Sequence, residues 1–120
     1  MKKSIGNFKG EDLYLKIANY SYGNRIYIRV DTLEEPYADL TINLPDLMLP
    51  DEDYIFVNGD MTKDLRKFLE QKKIISETIY TYPYNLGKYD MVKVDFDKLK
   101  EYDPNGFEDY ENYKDNGIEL

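Results

Sequence analysis

Residues 37–44 read YADLTINL. Ala38, Leu40, Ile42 and Leu44 recur at every second position between Tyr37, Asp39, Thr41 and Asn43, which is the period of a strand with one buried face. EEP before the stretch and Pro45 after it act as boundaries. The pattern predicts one long strand, the third of an antiparallel set. Upstream, DLYLKIANY (12–20) sets Leu13, Leu15 and Ile17 against Tyr14, Lys16 and Ala18. After the turn signal SYGN (21–24), RIYIRVD (25–31) repeats the alternation with Ile26, Ile28 and Val30, so a hairpin precedes the long strand.

Downstream, LPDLMLPDED (44–53) carries two prolines and four acids and reads as a loop with a few anchoring apolar residues, followed by a short strand in YIFVN. A helix is predicted from Asp60, as N-cap, to Lys73. It places Met61, Leu65, Phe68 and Leu69 on one face and Lys63, Asp64, Arg66, Lys67, Glu70 and Lys72 on the other. ISETIYTYPYN is the next strand, NLGK a turn, and YDMVKVDF a strand with Val92, Val94 and Phe96 alternating. DKLKEYD forms a short helix that ends at Pro104. The predicted class is α+β: residues 1–120 as a single domain, with an antiparallel sheet of about five strands, one main helix packed on one face and a short C-terminal helix. In that arrangement Leu65, Phe68 and Leu69 are buried against Leu40, Ile42 and Val94 or their neighbours.

A chain of 120 residues holds one core, and 42% hydrophobic with 33% charged residues is a globular composition rather than a disordered one. MKKSIGNFKGEDL lacks the apolar run of a signal peptide, and no stretch approaches the ~20 apolar residues of a membrane span, so no membrane is expected and a cytoplasmic protein is the default. With no cysteine and no histidine, thiolate chemistry, the commonest general base and the commonest transition-metal ligand are missing. A net charge of −8 argues against direct nucleic-acid binding, and it suits a basic partner.

Thirteen tyrosines against five phenylalanines and no tryptophan are the unusual feature. In ETIYTYPYN (77–85), Tyr80, Tyr82 and Tyr84 form a row on one strand face, about 6 to 7 Å apart. Pro83 between them marks an edge strand or bulge. Such a row is either core packed on the helix or a contact surface, where the ring is covered and the hydroxyl stays wet. From Asp95 onward, nine acids face three lysines, so residues 95–120 carry −6 of the chain's −8, interleaved with Tyr102, Phe107, Tyr110 and Tyr113. This acidic, tyrosine-rich segment is either a solvated terminus or a mimic of nucleic acid, in which carboxylates stand in for phosphates before a partner's arginines. The candidate partner-binding residues are therefore Tyr80, Tyr82, Tyr84, Glu101, Tyr102, Asp103, Glu108, Asp109, Tyr110 and Glu111.

No catalytic constellation competes. The paired acids Glu34-Glu35, Asp51-Glu52-Asp53 and Glu108-Asp109 read as surface charge. DEDYIFVNGD lacks the spacing of a calcium loop, and Gly6 and Gly10 match no phosphate-binding fingerprint. No catalytic residue, metal or cofactor is assigned, and an enzyme is not expected.

YADLTINLPD, FVNGDMTKDLRKFLEQKKIISET, TYPYN and VDFDKLKEYDPNGFEDYE together resemble a family of small domains of unknown function encoded on conjugative elements and phages of Gram-positive and gut bacteria. The similarity runs from Tyr37 to Tyr113. Proteins of that kind are similar in size, acidity and setting to anti-restriction and type II anti-CRISPR proteins. The resemblance implies a non-catalytic inhibitor of a CRISPR effector nuclease, with Cas9 or the Cas9–guide RNA complex as its partner. The other reading is a protein-binding module for transfer or maintenance of the element.

Overall fold

The alternation over residues 37–44 does not stay in one sheet. In the structure, a computed structural model that describes residues 2–116, the stretch is divided between two four-stranded antiparallel sheets. The first has the spatial order β1 (Gly6–Phe8), β2 (Glu11–Asn19), β3 (Ile26–Asp31), β4 (Pro36–Asp39). The second has the order β5 (Thr41–Ile42), β6 (Tyr54–Val57), β8 (Gly87–Lys93), β7 (Tyr80–Tyr84). The class is α+β as expected, with four strands in each sheet rather than about five in one.

Leu40 is the point of transfer. Its N–H donates to Ile28 O of β3 at 2.9 Å, and its carbonyl accepts from Asn58 N, just past β6, at 2.9 Å. The next residue leaves β3 without a backbone acceptor for Ile28 N. The hydroxyl of Thr41 replaces it, accepting from Ile28 N at 3.1 Å and lying 2.9 Å from Tyr20 OH. Because a buried orphan N–H costs about 1–3 kcal/mol, a hydroxyl at this buried position is what lets the strand change sheets.

Three helices are present among the described residues: α1 (Lys63–Gln71), α2 (Phe96–Tyr102) and α3 (Pro104–Asn116). The N-cap of α1 is Thr62, not Asp60, and its side chain accepts from Leu65 N at 3.3 Å. Leu65 and Leu69 join Leu40 and Val94 in the main core. Phe68 sits half-buried at the rim, its ring 5.2 Å from that of Phe8. Ile42 lies in a second, smaller cluster on the opposite face of its sheet, because period two is counted from a different sheet after Leu40.

The segment after Pro104, predicted to leave the helix, is instead a third helix. Pro104 occupies the first helical position, where its missing N–H breaks no bond. Residues 117–120 of the expected C-terminal segment lie outside the described residues. The inner faces of both sheets, α1, and the α2–α3 pair enclose one core that includes Leu15, Ile28, Val57, Leu69, Leu99 and Phe107.

Thr41→Val should lower stability by about 1–3 kcal/mol, since it keeps the shape and strands the Ile28 N–H. Leu69→Ala should cost about 2–5 kcal/mol, as expected for a fully buried leucine. Urea denaturation measures both, and an unchanged midpoint for Thr41→Val would remove the hydroxyl from its role at the crossover.

Candidate functional site

The second sheet has two unlike faces. Ile55, Val57 and Val92 point into the main core, whereas Ile42, Tyr54, Phe56, Tyr82, Tyr89 and Met91 point the other way. The latter face is covered by a loop, residues 44–53, and not by a helix. Arg25 fastens that loop from the first hairpin, donating to Leu44 O at 2.9 Å and to Leu47 O.

On this face the tyrosine row takes form along β7, the sheet edge. Its register with β8 sets Tyr80 opposite Met91, Tyr82 opposite Tyr89 and Tyr84 opposite Gly87. The two-residue turn Asn85-Leu86 closes the hairpin, with Asn85 at φ 55°. Pro83 therefore lies one residue from the closing pair, where its absent N–H faces away from the sheet. The rings of Tyr80 and Tyr82 stand edge-on with centroids 4.6 Å apart, and Tyr82 meets Phe56 in a T-shaped contact at 5.6 Å.

Tyr82 and Tyr84 are half-buried, while Tyr80 is 56% exposed, with Ile79 and Leu86 open beside the row. Tyr84 OH donates to Asp46 Oδ2 at 3.0 Å, which raises its pKa and holds the phenol neutral. The row is thus partly packed: its Tyr84 end is bonded to the acidic loop at Asp46, and its Tyr80 end is open.

The C-terminal candidates separate. Glu101 pairs with Lys3, whose ammonium keeps the carboxyl below its usual range. Glu108 and Asp109 are exposed on the outer side of α3, and Glu111 is half-buried. Tyr102, Asp103 and Tyr110 are buried. The two tyrosines belong to the core, Tyr102 with Leu99 three residues before it on α2, and Tyr110 with Phe107 three residues before it on α3.

Asp103 is the most constrained of them. Its Oδ2 accepts from Ile17 N of β2 at 2.8 Å, and its Oδ1 accepts from Gly106 N at 3.3 Å. The second bond makes it the cap of α3. Lys2 Nζ stands 3.8 Å from Oδ2. A Cβ on Gly106 would lie 2.1 Å from Asp103 Oδ2 and 2.6 Å from Ile17 O, so no other side chain fits there. Tyr102, Asp103 and Tyr110 leave the solvent-facing set, which retains Tyr80, Tyr82, Tyr84, Glu101, Glu108, Asp109 and Glu111.

By β5, β6 and α3, across the second sheet from the tyrosine row on β7, lies a cavity of about 380 Å³, lined by Tyr20, Asn24, Asn43, Tyr54, Phe56 and Tyr110. Sequence reasoning missed it. Its residues come from separate segments, and the turn asparagine Asn24 and the repeated apolar–proline pattern of the 44–53 loop were its faint traces. Burial drives the Tyr110 pKa far above its usual value, with the charges of Glu52, Glu111 and Asp53 adding to the shift.

A family model described as a domain of unknown function, DUF4313, matches residues 14–114. The match begins within β2 and takes in β3, beyond the Tyr37–Tyr113 span of the resemblance. No curated protein and no solved structure matches the chain.

The tyrosines give a pH signature. Tyr27 is raised to about 12 by burial and by its bond to Asp39, and Tyr20, Tyr84 and Tyr110 are raised too. In each case the folded state holds the proton more tightly than the unfolded chain, whose value is 10.0. This contribution is complete below pH 10 and lost as the pH rises through 10 towards 12 and beyond. Urea midpoints should be flat from pH 8 to about 9.5 and then fall, and Tyr110→Phe should fall less steeply.

Proposed function

The chain belongs to this DUF4313 family, and from that premise we propose that it is a non-catalytic binding module that covers a basic, nucleic-acid-binding surface of another protein. The observation that carries the reading is the open end of the tyrosine row. Ile79 and Tyr80 are exposed where β7 begins, on a sheet edge whose other end, at Tyr84, is bonded to the loop carboxylate of Asp46, in a chain of net charge −8. Tyrosine anchors ringed by acids are the complement of an arginine- and lysine-lined channel.

A nuclease of the Cas9 type is the first partner to test, since it holds its heteroduplex in a positive channel and reads its adjacent motif through paired arginines. Encoding on a conjugative element or phage, where blocking such a nuclease favours survival, is part of the same proposal. In this reading Tyr80 and Tyr82 dock, and Glu108, Asp109 and Glu111 extend the acidic surface along α3. A module acting in element transfer uses the same edge on a different partner.

The experiment is a cleavage assay with purified Cas9-type effector and guide RNA, with the chain added before or after target DNA at two salt concentrations. Inhibition is expected only on prior addition, and it should weaken with salt, because exposed charges are screened within ~8 to 10 Å. Tyr80→Ala should fold normally and lose on the order of 2 kcal/mol of affinity. Glu108→Gln with Asp109→Asn should slow association. Inhibition independent of order, of salt and of these substitutions would exclude a charge-based mechanism, and no inhibition would direct the search to the transfer machinery.

A further inference from the structure

Charge, proline and shortness are the usual ways in which a protein blunts the edge of a sheet. Three of the four edge strands show them: β1 has three residues, β5 has two, and β4 follows Glu34 and Glu35 and carries Pro36 and Asp39. β7 differs. It reads YTYPY over five residues without a charge, and among the described residues it pairs with β8 alone. Ile79 and Tyr80 at its start are 49% and 56% exposed.

The register fixes which backbone groups that edge offers. The two-residue turn makes Tyr84 and Gly87 the closing hydrogen-bonded pair, so Tyr82 and Tyr80 also turn their backbone groups towards β8. Thr81 and Pro83, between them, turn theirs outward. Ile79 N is engaged inward as well, donating to Met91 O at 2.9 Å. What remains on the outer side of β7 is the N–H and C=O of Thr81 and the C=O of Pro83.

This set excludes one occupant. A second copy pairing β7 on β7 about Thr81 would set Pro83 opposite Ile79, where the proline has no N–H and the isoleucine N–H is taken. Only the two Thr81 bonds would form, and two chains of net charge −8 would be brought together. A foreign extended segment with free N–H groups can instead exchange both bonds with Thr81 and donate a third to Pro83 O.

The two sides of the edge also differ in charge. On the tyrosine side, Tyr80 and Tyr82 are followed by Tyr84 with the exposed Asp46 at its hydroxyl. On the other side, Thr81 donates to Asp90 at 2.6 Å, Asp90 is paired with Arg66, and the exposed Lys88 stands opposite Pro83. We propose that β7 receives an extended segment of the partner protein as a fifth, antiparallel strand. Read from its N-terminus, the segment runs basic, acidic, apolar, small polar, apolar, set opposite Tyr84, Pro83, Tyr82, Thr81 and Tyr80 in turn. Directly opposed residues share a face, so the basic residue meets Asp46, the acidic one meets Lys88, and the two apolar ones lie on Tyr82 and Tyr80. The inference deepens the binding-module reading and rests on it for the existence of a partner. Main-chain bonds supply the grip and alternate side chains the selectivity.

The test uses the isolated chain with the peptide acetyl-Arg-Glu-Val-Thr-Val-amide, followed by amide NMR signals and hydrogen exchange. Saturable shifts are expected at Tyr80, Thr81 and Tyr82, together with slowed exchange of the Thr81 N–H. The same peptide methylated on its threonine nitrogen should bind about tenfold more weakly, since it cannot donate to Thr81 O. Thr81→Pro removes the outward donor without touching the bonds to β8 and should weaken the peptide similarly. Thr81→Val, which keeps the backbone and loses the hydroxyl, should bind as the parent does. Lys88→Glu should reverse the preference from glutamate to lysine at the second position of the peptide.

Equal binding of the methylated peptide, shifts at the tyrosines without protection of Thr81, or no localised response would each overturn strand addition. A Thr81 N–H protected in the chain alone, with a mass that rises with concentration, would give the edge to a second copy. Because no effector is present, the outcome is separable from the cleavage assay. Peptide pairing without nuclease inhibition removes the effector as partner and leaves the edge. Inhibition that survives Thr81→Pro undiminished removes strand addition and leaves the binding module.

Discussion

Leu40 is bonded to both sheets at once, and this double attachment sets the positions of everything else. A strand that ran on past Leu40 in the first sheet would have produced the wide single sheet that the hydrophobic pattern suggests. By leaving, it orphans the N–H of Ile28 in the middle of the core, where water cannot reach it. The hydroxyl of Thr41 satisfies that group and is in turn bonded to Tyr20, so the break in the ladder is closed by a side chain. With the crossover fixed there, the second sheet has one face in the core and the other turned outward, and the outward face is the one that carries the aromatic residues.

Asp103 solves the same problem at the opposite edge. β1 pairs with β2 only over Glu11–Leu13, which leaves the rest of that edge of β2 without a strand neighbour. Asp103 takes the N–H of Ile17, while Lys2 donates to Leu15 O at 2.7 Å and Ile5 N to Leu13 O at 2.8 Å. A buried carboxylate is costly unless its oxygens are bonded, and here both oxygens accept from backbone N–H groups. The same residue ends α2 and caps α3. One side chain thereby replaces a missing strand and fixes the helical corner from which α3 brings Tyr110 to the cavity.

The contrast between these two residues and their neighbours explains how far the sequence could be read. The β2–β3 hairpin was legible because its alternation and its turn agree, and α1 because its apolar stripe repeats at helical spacing. The crossover was not legible, since Ala38, Leu40, Ile42 and Leu44 keep period two across it and the pattern does not say which sheet each residue faces. In the C-terminal segment, composition alone treats Asp103 and Asp109 alike. The break between the two helices does not: Asp103 stands at that break with its carboxylate on β2, whereas Glu108 and Asp109 lie on the side of α3 away from Phe107 and Tyr110. The cavity was illegible for another reason. It depends on where the 44–53 loop lies, and Arg25 places that loop through backbone carbonyls that carry no sequence signature.

Why tyrosine prevails on the outer face follows from how that face is covered. A short loop cannot exclude water as a helix does, so rings beneath it need one polar end, and Tyr84 bonded to Asp46 shows the arrangement. Partial cover accounts for Tyr82, Tyr84 and Tyr89, whose rings pack on Phe56 or on each other. It does not account for the two ends of the β7 edge, where Ile79 and Tyr80 before and at the start of the strand and Leu86 in the turn lie exposed. Stability alone would favour polar residues at an open edge strand, because exposed apolar edges invite pairing with other chains. Their apolar character there is the physical reason to look for a partner along this edge.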